Sequence, residues 1–367
     1  MRVVVTGSRG FIGRNLCTRL CETQSVQLVR FDRSDELAEL DRRIAQSDLV
    51  VHLAGENRPR DPADFTAGNA DLTAHVCEAI RRCGRQVPLI FFSSAQAELD
   101  NPYGRSKRAA EHCVEELSGA GNPAVIYRLP GVFGKWCKPD YNSVVATFCY
   151  NIARGLDIQI TDPSIKLKLA YIDDVVEEII SNFGNFREGL RYADVEPVYT
   201  ITLGELASQI EAFRNSRQNL VVERVGGGLI RALYATYVSY LPPSSFTYDL
   251  TQHADERGTF VEIVRTHDSG QFSFFTSLPS VTRGRHYHHS KSEKFLVVQG
   301  TAQFVFRDIL TGARHQIVTS SSHPRIVESV PGWAHEITNI GEEEMVVFVW
   351  ANENYDPDRS DTISSRV

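Results

Sequence analysis

Three residues near position 100 have the types and spacing that suit proton transfer to a carbonyl oxygen. Tyr103 and Lys107 are four residues apart, so on a helix they would share one face. An ammonium beside a phenol favours the phenolate and should lower the tyrosine pKa towards neutrality. Ser94, or alternatively Ser93, ends the preceding apolar segment and can hydrogen-bond the same oxygen. The sequence therefore predicts Tyr103, Lys107 and Ser94 as catalytic residues.

A glycine-rich segment near the start of the chain predicts a dinucleotide site. Residues 6–13 read TGSRGFIG, between the first apolar run and the first helical pattern. Glycines there permit a tight turn, close backbone approach to a pyrophosphate and close helix–sheet packing. The helix N-terminus then faces the phosphates. The expected cofactor contacts are Gly7, Arg9, Gly10, Phe11, Ile12, Gly13, Arg33, Leu53, Ala54 and Lys107.

Two adjacent residues bear on which nicotinamide cofactor is used. The second predicted strand ends in Asp32 and Arg33. An aspartate at this place usually binds the ribose 2′-hydroxyl of NAD, whereas an arginine can contact the 2′-phosphate of NADP. Arg9 adds a further positive charge. We therefore favour NADPH over NADH.

A second chemical pattern follows residue 280. His286 and His288 alternate on a predicted strand and so point to one face, and Glu293 can return from the next strand. His335 follows a turn much later. These four residues suit Zn²⁺, Mn²⁺ or Fe²⁺, and we favour one zinc ion. A shell of four protein ligands favours a structural metal, but a catalytic role stays open. If the metal is structural, the base belongs among other barrel residues such as Lys294, Glu353 and Tyr355.

The apolar runs predict two different architectures. Predicted strands at 3–6, 27–31, 49–53, 89–93 and 124–127 alternate with predicted helices at 14–22, 69–83 and 106–117. That order indicates a Rossmann-type, doubly wound parallel sheet covered on both faces. Short strands at 260–265, 272–276, 294–298, 302–307 and 345–350 indicate an antiparallel barrel or sandwich. Residues 241–245, which read LPPSS, place the domain boundary between 1–243 and 244–367.

Composition excludes several classes of function. The 367 residues fit two domains, and the net charge of −7 offers no basic face for nucleic acid. No apolar stretch approaches the ~20 residues that cross a bilayer, and we see no signal peptide. Seven cysteines, an odd number without a C-x-x-C pair, are typical of a reducing compartment. We expect a cytoplasmic protein without membrane insertion.

Residues 1–240 resemble an extended short-chain dehydrogenase/reductase that modifies nucleotide sugars. The G-x-x-G-x-x-G loop, HLAG at 52–55, the serine strand, Y-x-x-x-K and YIDDV at 171–175 stand in family order. The resemblance implies that Tyr103 is the general acid, that Lys107 also holds the nicotinamide ribose and that Ser94 assists. The histidine pattern resembles the two motifs of a cupin, an all-β jelly-roll barrel. DERGTF at 255–260 is similar to a segment of deoxysugar 3,5-epimerases.

The whole chain resembles bifunctional enzymes of capsule and O-antigen polysaccharide synthesis, in which a reductase precedes a cupin. This likeness is carried by GKWCKP at 134–139, YNS at 141–143, EKFLVV at 293–298 and NENYDP at 352–357. It implies that the cupin epimerises carbon 3 of UDP-2-acetamido-2,6-dideoxy-4-hexulose and that the reductase then reduces the carbon 4 ketone with NADPH. The implied product is UDP-2-acetamido-2,6-dideoxy-L-talose, a step in UDP-N-acetyl-L-fucosamine synthesis. We expect a UDP-linked deoxy-amino-sugar as substrate and a homodimer.

Two other hypotheses fit the same sequence. In one, the chain is a nucleotide-sugar 4-keto reductase whose cupin only stabilises or dimerises it. In the other, the chain is a regulator that senses NADP. Ser94, Tyr103 and Lys107 argue against the regulator, because a sensor has no need of a proton donor. The sequence does not separate the first hypothesis from the bifunctional enzyme.

Overall fold

The computed structural model describes residues 1–59, 61 and 64–367. These residues form two compact units, Met1–Ile210 with Arg231–Pro242 and Glu211–Ile230 with Pro243–Val367. The strands are, in chain order, β1 (Arg2–Thr6), β2 (Gln27–Phe31), β3 (Leu49–His52), β4 (Leu89–Ser94), β5 (Ala124–Leu129), β6 (Gly131–Phe133), β7 (Lys166–Tyr171), β8 (Leu190–Ala193), β9 (Val198–Thr202), β10 (Val221–Val222), β11 (Gln252–Asp255), β12 (Gly258–Thr266), β13 (Gln271–Ser277), β14 (Thr282–Tyr287), β15 (Glu293–Gln299), β16 (Thr301–Asp308), β17 (Arg314–Ser320), β18 (Ile326–Glu328), β19 (Trp333–Asn339), β20 (Met345–Ala351) and β21 (Ile363–Ser364). The α-helices are α1 (Phe11–Cys21), α2 (Leu37–Ala45), α3 (Leu72–Arg82), α4 (Pro102–Gly119), α5 (Val144–Ile152), α6 (Ile172–Ser181), α7 (Leu203–Asn219) and α8 (Gly228–Ser239).

The first unit is built on a parallel sheet with the strand order β2-β1-β3-β4-β5-β8. Its central strands β3, β4 and β5 are almost wholly buried, as expected for a sheet covered on both faces. The core is made of branched and aromatic residues such as Val4, Val50, Phe91 and Ile126. A small sheet of β6, β7 and β9, which the sequence did not predict, lies in the same unit. The predicted Rossmann-type sheet is confirmed.

Helix α4, which carries the tyrosine and the lysine, begins four residues before the predicted start at residue 106. Asn101 caps it, since its side-chain oxygen accepts a hydrogen bond from the Gly104 N–H at 2.7 Å. Pro102 occupies the first turn, where its missing N–H costs nothing. The helix predicted from residue 69 is an α-helix only from Leu72, because a π-helical turn, Thr66–Asp71, precedes it.

The second unit contains two sheets, which are antiparallel apart from the pairing of β10 with β12. One sheet has the order β10-β12-β13-β20-β15-β18, with β11 beside β12, and the other has the order β17-β16-β19-β14-β21. Strands β13, β16 and β20 alternate buried and half-buried residues. Their buried side chains, among them Phe295, Phe304 and Val347, form one apolar cluster. The predicted all-β jelly-roll is confirmed.

The structure assigns residues 211–230 to the second unit, whereas we expected a single boundary between residues 243 and 244. The reason is local pairing, because β10 extends the barrel sheet beside β12. The Arg217 guanidinium also donates to the carbonyl oxygens of Ser245 and Thr247. His267 lies 3.0 Å from the Glu223 carboxylate. Within the part of the chain that the structure describes, no helix has the length and apolar character needed to cross a bilayer.

A bulge in β14 changes which side chains face the inside of the barrel. Gly284 and Arg285 both have positive φ, at 90° and 65°, and the pairing with β19 shifts register between Gly284 and His286. Strict alternation would send residues 283 and 286 to opposite faces, yet Arg283 and His286 line the same cavity. A Cβ atom at position 284 would lie 2.9 Å from the His335 carbonyl oxygen, so glycine is required there.

Candidate functional site

The glycine loop leaves no space for side chains at its two ends. A Cβ atom on Gly7, whose φ is +67°, would lie 2.8 Å from the Cα of Ala54. A Cβ atom on Gly13 would lie 2.2 Å from the carbonyl oxygen of Gly7. Helix α1 begins at Phe11 and has no acidic residue in its first turn, so its N-terminal N–H groups stay open to an anion. This cradle fits the pyrophosphate of a dinucleotide.

The two arginines expected near the cofactor ribose are highly exposed beside Asp32. The Asp32 carboxylate accepts hydrogen bonds from the Ser8 hydroxyl at 2.5 Å and from the Arg9 N–H at 2.8 Å. The Arg9 side chain is 77% exposed and the Arg33 side chain is 85% exposed. Arg33 pairs with Glu56 at 2.5 Å, a partner that the sequence did not indicate. Both guanidinium groups are therefore accessible from solvent.

The structure brings Tyr103 to Ser94 rather than to Ser93. Tyr103 is half-buried in the first turn of α4, with its ring centroid 5.6 Å from that of Phe65. Burial raises the pKa of the Tyr103 phenol above its ordinary value, although hydrogen bonding with Ser94 opposes the rise. The Ser93 hydroxyl is buried and makes no hydrogen bond within the described residues. Of the two serines that the sequence offered, Ser94 is thus the one beside Tyr103.

Lys107 is buried beneath this site. Its Nζ atom donates to the carbonyl oxygen of Phe92 at 2.8 Å and lies 5.0 Å from the centroid of the Phe91 ring. A Cβ atom on Gly55 would be 3.7 Å from the same nitrogen, so the ammonium lies close to the end of β3. Burial lowers the pKa of Lys107 to about 8, and the charge of Glu111 partly offsets that effect.

The expectation that Lys107 lowers the Tyr103 pKa is wrong for this structure. The Lys107 ammonium is directed to the Phe92 carbonyl, and burial of the phenol dominates, so the Tyr103 pKa rises. At neutral pH the phenol therefore keeps its proton. A protonated phenol suits the donor of a proton to a carbonyl oxygen better than a phenolate would.

Asn69, which the sequence offered only as the start of a helix, connects three parts of the site. Its side-chain oxygen accepts from the Glu56 N–H, and its side-chain nitrogen donates to the Glu56 carbonyl and to the Ser106 hydroxyl, each at 3.0 Å. Asn69 lies in the π-helical turn that precedes α3. The segment after β3 is therefore fixed to α4, one residue from Lys107.

His52 is a buried link between β1 and α3. Its Nδ1 atom lies 2.6 Å from the Thr6 hydroxyl and its Nε2 atom lies 3.0 Å from the Thr73 hydroxyl. Burial lowers the pKa of His52 to about 3, and the positive charge of Lys107 adds to the shift. The imidazole is therefore neutral, and both of its nitrogens are engaged. The HLAG motif was the only sequence signal for this residue.

The four residues expected to bind metal are brought together in the barrel. One potential ligand atom from each of them lies within 4.8 Å of the others, the residues being His286, His288, Glu293 and His335. The Nε2 atoms of His288 and His335 approach the same Glu293 oxygen at 3.3 and 3.4 Å. His335 is buried, and neither of its ring nitrogens makes a hydrogen bond within the described residues. A buried imidazole with unused nitrogens fits a metal ligand.

The protonation states of two residues of this cluster suit a cation. Burial lowers the pKa of His286 to about 4, with the neighbouring His335 adding to the effect, so the imidazole is neutral. Burial alone would raise the pKa of Glu293, but the adjacent imidazoles of His288 and His335 and the ammonium of Lys291 hold it well below its ordinary value. The Lys291 ammonium lies 3.2 Å from the other Glu293 oxygen. The cluster thus offers a neutral imidazole in His286 and a carboxylate in Glu293.

A cavity of about 520 Å³ opens onto three of these four residues, His286, Glu293 and His335. Its wall also carries polar side chains that the histidine pattern in the sequence did not indicate, namely His253, Arg257, Arg283 and Lys291. The Nη2 atom of Arg283 is buried without a hydrogen bond in the described residues. Of the alternative bases, Tyr355 lines the cavity, whereas Lys294 is exposed and pairs with Glu328. Glu353 is not among the lining residues.

Comparisons with known proteins agree with both units. Residues 3–195 match the model of the NAD dependent epimerase/dehydratase family. The chain belongs to this family. The NAD dependence in the family's description and the glycine cradle together indicate a nicotinamide cofactor. Residues 253–363 match the polysaccharide biosynthesis C-terminal domain.

Full-length relatives of this epimerase/dehydratase chain have the same two-part organisation. A Pseudomonas aeruginosa protein named UDP-2-acetamido-2,6-beta-L-arabino-hexul-4-ose reductase is 53% identical over 100% of this chain and 99% of its own. The crystal structure of the capsular polysaccharide assembling protein CapF from Staphylococcus aureus covers 100% of both chains, at 38% identity and a TM-score of 0.92. A Thermus thermophilus UDP-glucose 4-epimerase in complex with NAD shares the fold over 65% of this chain and 99% of its own, at 19% identity and a TM-score of 0.55. The resemblance to capsule and O-antigen enzymes is confirmed.

The low pKa of His52 predicts a pH dependence of stability. In the unfolded chain the imidazole of His52 gains a proton below about pH 6.5, whereas in the folded state it does so only near pH 3. The free energy of unfolding therefore falls as the pH is lowered from 6.5 towards 3. Between pH 7 and pH 5 the wild type should lose about 2 kcal/mol of unfolding free energy that His52→Gln does not lose. Urea titrations that follow the first unit would measure the difference. The control His112→Gln changes an exposed imidazole and should keep the wild-type slope. Equal slopes for wild type and His52→Gln would contradict the assignment.

Proposed function

We propose that this chain epimerises carbon 3 of UDP-2-acetamido-2,6-dideoxy-4-hexulose in the barrel and reduces its carbon 4 ketone with NADPH in the first unit. The product would be UDP-2-acetamido-2,6-dideoxy-L-talose, on the route to UDP-N-acetyl-L-fucosamine. The full-length relative, itself named as a reductase of such a 4-ketose, supports the substrate class. The observation that carries the reductase is geometric: Tyr103 lies in the first turn of α4, and Lys107, one turn later, donates to the Phe92 carbonyl in the strand that ends at Ser94.

In the reductase, Tyr103 donates its proton to the carbon 4 oxygen while Ser94 hydrogen-bonds the same oxygen. When bound, the nicotinamide supplies the hydride that adds to carbon 4. The ketone thereby becomes a hydroxyl, and the Tyr103 phenolate regains its proton from solvent. Lys107, which donates to the Phe92 carbonyl near the end of β3, would hydrogen-bond the nicotinamide ribose.

In the barrel, the ketone at carbon 4 makes the proton on carbon 3 acidic. A base removes that proton, and its return on the opposite face inverts the centre. The carbanion is stabilised as an enolate, which needs positive charge, and Lys291 and Arg283 on the cavity wall supply it. Tyr355 and His253 line the same cavity and are the candidates for proton transfer. A divalent cation held by the three histidines and Glu293 would add positive charge and rigidity.

Replacing the phenol tests the reductase separately from the epimerase. Tyr103→Phe should lower ketone reduction by ~10²–10⁴-fold, because only the phenol donates the proton. Deuterium exchange at carbon 3 in deuterated water should persist, since that reaction belongs to the barrel. NADPH oxidation and mass spectrometry of the sugar measure the two reactions.

The matched control for this experiment is Tyr192→Phe, which removes a hydroxyl that donates to Glu115 away from the site. It should keep both reactions at the wild-type level. Reduction by Tyr103→Phe at more than ~1% of the wild-type rate would refute the proton-donor role. Exchange at carbon 3 that disappears together with reduction would refute the division of chemistry between the two units.

We propose NADPH rather than NADH as the cofactor because of the exposed guanidinium groups beside Asp32. Arg33 contacts the Glu56 carboxylate in this structure. A bound 2′-phosphate would replace that carboxylate as the partner of the Arg33 guanidinium. Arg33→Ala should raise the KM for NADPH at least ~10-fold and leave that for NADH nearly unchanged, because only NADPH carries the phosphate. Arg19→Ala, which removes an exposed arginine paired with Glu22, is the control. Equal effects on both cofactors would exclude this contact.

The metal, which we propose to be zinc, is tested through His288. His288→Ala should lower the zinc content and the thermal stability of the barrel, because it removes one of four ligands. His289→Ala should change neither, since that neighbouring imidazole is exposed and packs beside Tyr287. Full zinc stoichiometry in His288→Ala would mean that the ligand set is wrong. Carbon 3 exchange that survives the loss of zinc would assign the metal a structural role and place the base elsewhere in the barrel.

A homodimer is supported by an apolar row on the outer face of the barrel. Across four neighbouring strands, half-buried or exposed side chains that pair in register run from Phe274 through Phe348 and Leu296 to Ile326. Ile326 is 55% exposed. A second copy would cover such a row, which soluble monomers rarely present to water. A monomeric mass in analytical ultracentrifugation would contradict this proposal.

The division of function between residues 1–243 and 244–367 stays a prediction, as does the cytoplasmic location. The seven cysteines, none of them in a disulfide, agree with a reducing compartment. The absence of nucleic-acid partners and of membrane insertion also stays an expectation from composition.

A further inference from the structure

The carboxylate of Asp361 binds the loop between β14 and β15, 70 residues earlier in the chain. One oxygen accepts from the N–H of His289 at 2.9 Å, and the other accepts from the N–H groups of Ser290 and Lys291 at 2.7 and 2.9 Å. The Ser290 hydroxyl adds a fourth hydrogen bond at 3.0 Å. The backbone donors, led by those of Lys291 and His289, hold the pKa of Asp361 well below its ordinary value. The carboxylate is therefore ionised and fully engaged at neutral pH.

The backbone of the same residue contacts a proposed metal ligand directly. The carbonyl oxygen of Asp361 lies 2.5 Å from Nδ1 of His288. A carbonyl oxygen can only accept, so Nδ1 carries the hydrogen, and Nε2 is the nitrogen directed to the Glu293 carboxylate. Histidine ligands of metals are commonly oriented in this way by an acceptor on the second ring nitrogen.

The segment 361–366 is itself bound to the barrel by further contacts. Strand β21 pairs with β14 and places Ser364 opposite His286. The Ser365 N–H donates to the Arg285 carbonyl at 2.9 Å. The Arg307 guanidinium donates to the Ser365 hydroxyl and to the Arg366 carbonyl at 2.9 and 2.8 Å. Asp361 is thus held relative to the strand that carries His286 and His288.

We propose that Asp361 is a positioning residue of the metal centre. Its carbonyl oxygen fixes the tautomer and the ring orientation of His288, and its carboxylate fixes the loop that carries Lys291 beside Glu293. The inference rests on the proposed metal site and adds a residue that is not itself a ligand. Pre-orientation of ligands raises metal affinity, because less freedom is lost when the ion binds.

The test measures the zinc affinity of the full-length protein by competition with a chromophoric chelator. Asp361→Ala should lower the affinity ~10–100-fold, the usual cost of losing a group that orients a ligand. Asp361→Asn should lose less, because its oxygen still accepts, although its amide hydrogens oppose the loop N–H groups. A chain ended after Ser360 should lose the most, because it also lacks the carbonyl acceptor for His288. The matched control is Asp358→Asn, which changes an exposed carboxylate three residues before Asp361. This variant should bind zinc as the wild type does.

Thermal unfolding with and without zinc separates positioning from general stability. Positioning predicts that Asp361→Ala reduces the increase in Tm produced by zinc. Wild-type zinc affinity in Asp361→Ala overturns the inference, whether or not the metal-free protein has become less stable. If Asp361→Ala does not fold, the affinity of Asp361→Asn decides, and a wild-type value overturns the inference. If the wild type binds no zinc, or if His288→Ala still binds all the zinc that the wild type binds, the proposed metal site is wrong. This outcome does not depend on Asp361.

Discussion

A buried polar group needs a partner, and this constraint governs both sites in different ways. Around the nucleotide site the protein supplies most of the partners itself. His52 is held between two hydroxyls, Asn69 satisfies the Glu56 backbone, and Lys107 donates to the Phe92 carbonyl. The ends of β1, β3 and β4 are thereby fixed before any ligand binds. Such pre-organisation lets binding energy act on the reacting atoms rather than on ordering the protein.

The barrel leaves buried polar atoms that make no hydrogen bond within the described residues. Both nitrogens of His335 and one nitrogen of Arg283 are buried and make no hydrogen bond in the described residues. An unsatisfied buried polar atom costs about 1–3 kcal/mol, and a ligand that bonds to the atom would recover that cost. His335 adjoins three other potential metal ligands, and Arg283 lines the cavity above them. The cost therefore falls on the atoms that a cation and an anionic substrate would satisfy.

The sequence predicted what depends on short-range pattern. The glycine loop, the Tyr103–Lys107 spacing and the two sheets follow from local periodicity, and the structure has them. The sequence did not predict that Arg283 and His286 share a cavity, because strand alternation excludes it and only the bulge at Gly284 and Arg285 permits it. Nor did it indicate residues that act over long separations. Glu56 pairs with Arg33, which lies 23 residues earlier in the sequence. Asp361 binds the loop before Glu293, which lies about 70 residues earlier.

The Tyr103 pKa shows why a motif does not determine the electrostatics of its residues. Spacing alone suggested that the ammonium would dominate, but the phenol and the ammonium are both buried, and each shift favours the neutral form. Desolvation acts on every buried group, whereas the effect of a charge falls off with its distance from the group in question. Lys107 is directed to a backbone carbonyl.

The proposed order of reactions follows from the chemistry of the ketone. Carbon 3 is acidic only while carbon 4 is a carbonyl, so reduction removes the activation on which the barrel depends. Epimerisation must therefore precede reduction, and a hydride added first would trap the wrong isomer permanently. Carrying both activities on one chain raises the effective concentration of the reductase for an intermediate whose configuration is still labile. A reductase selective for the inverted sugar would then draw the reversible epimerisation forward, because reduction consumes only that isomer.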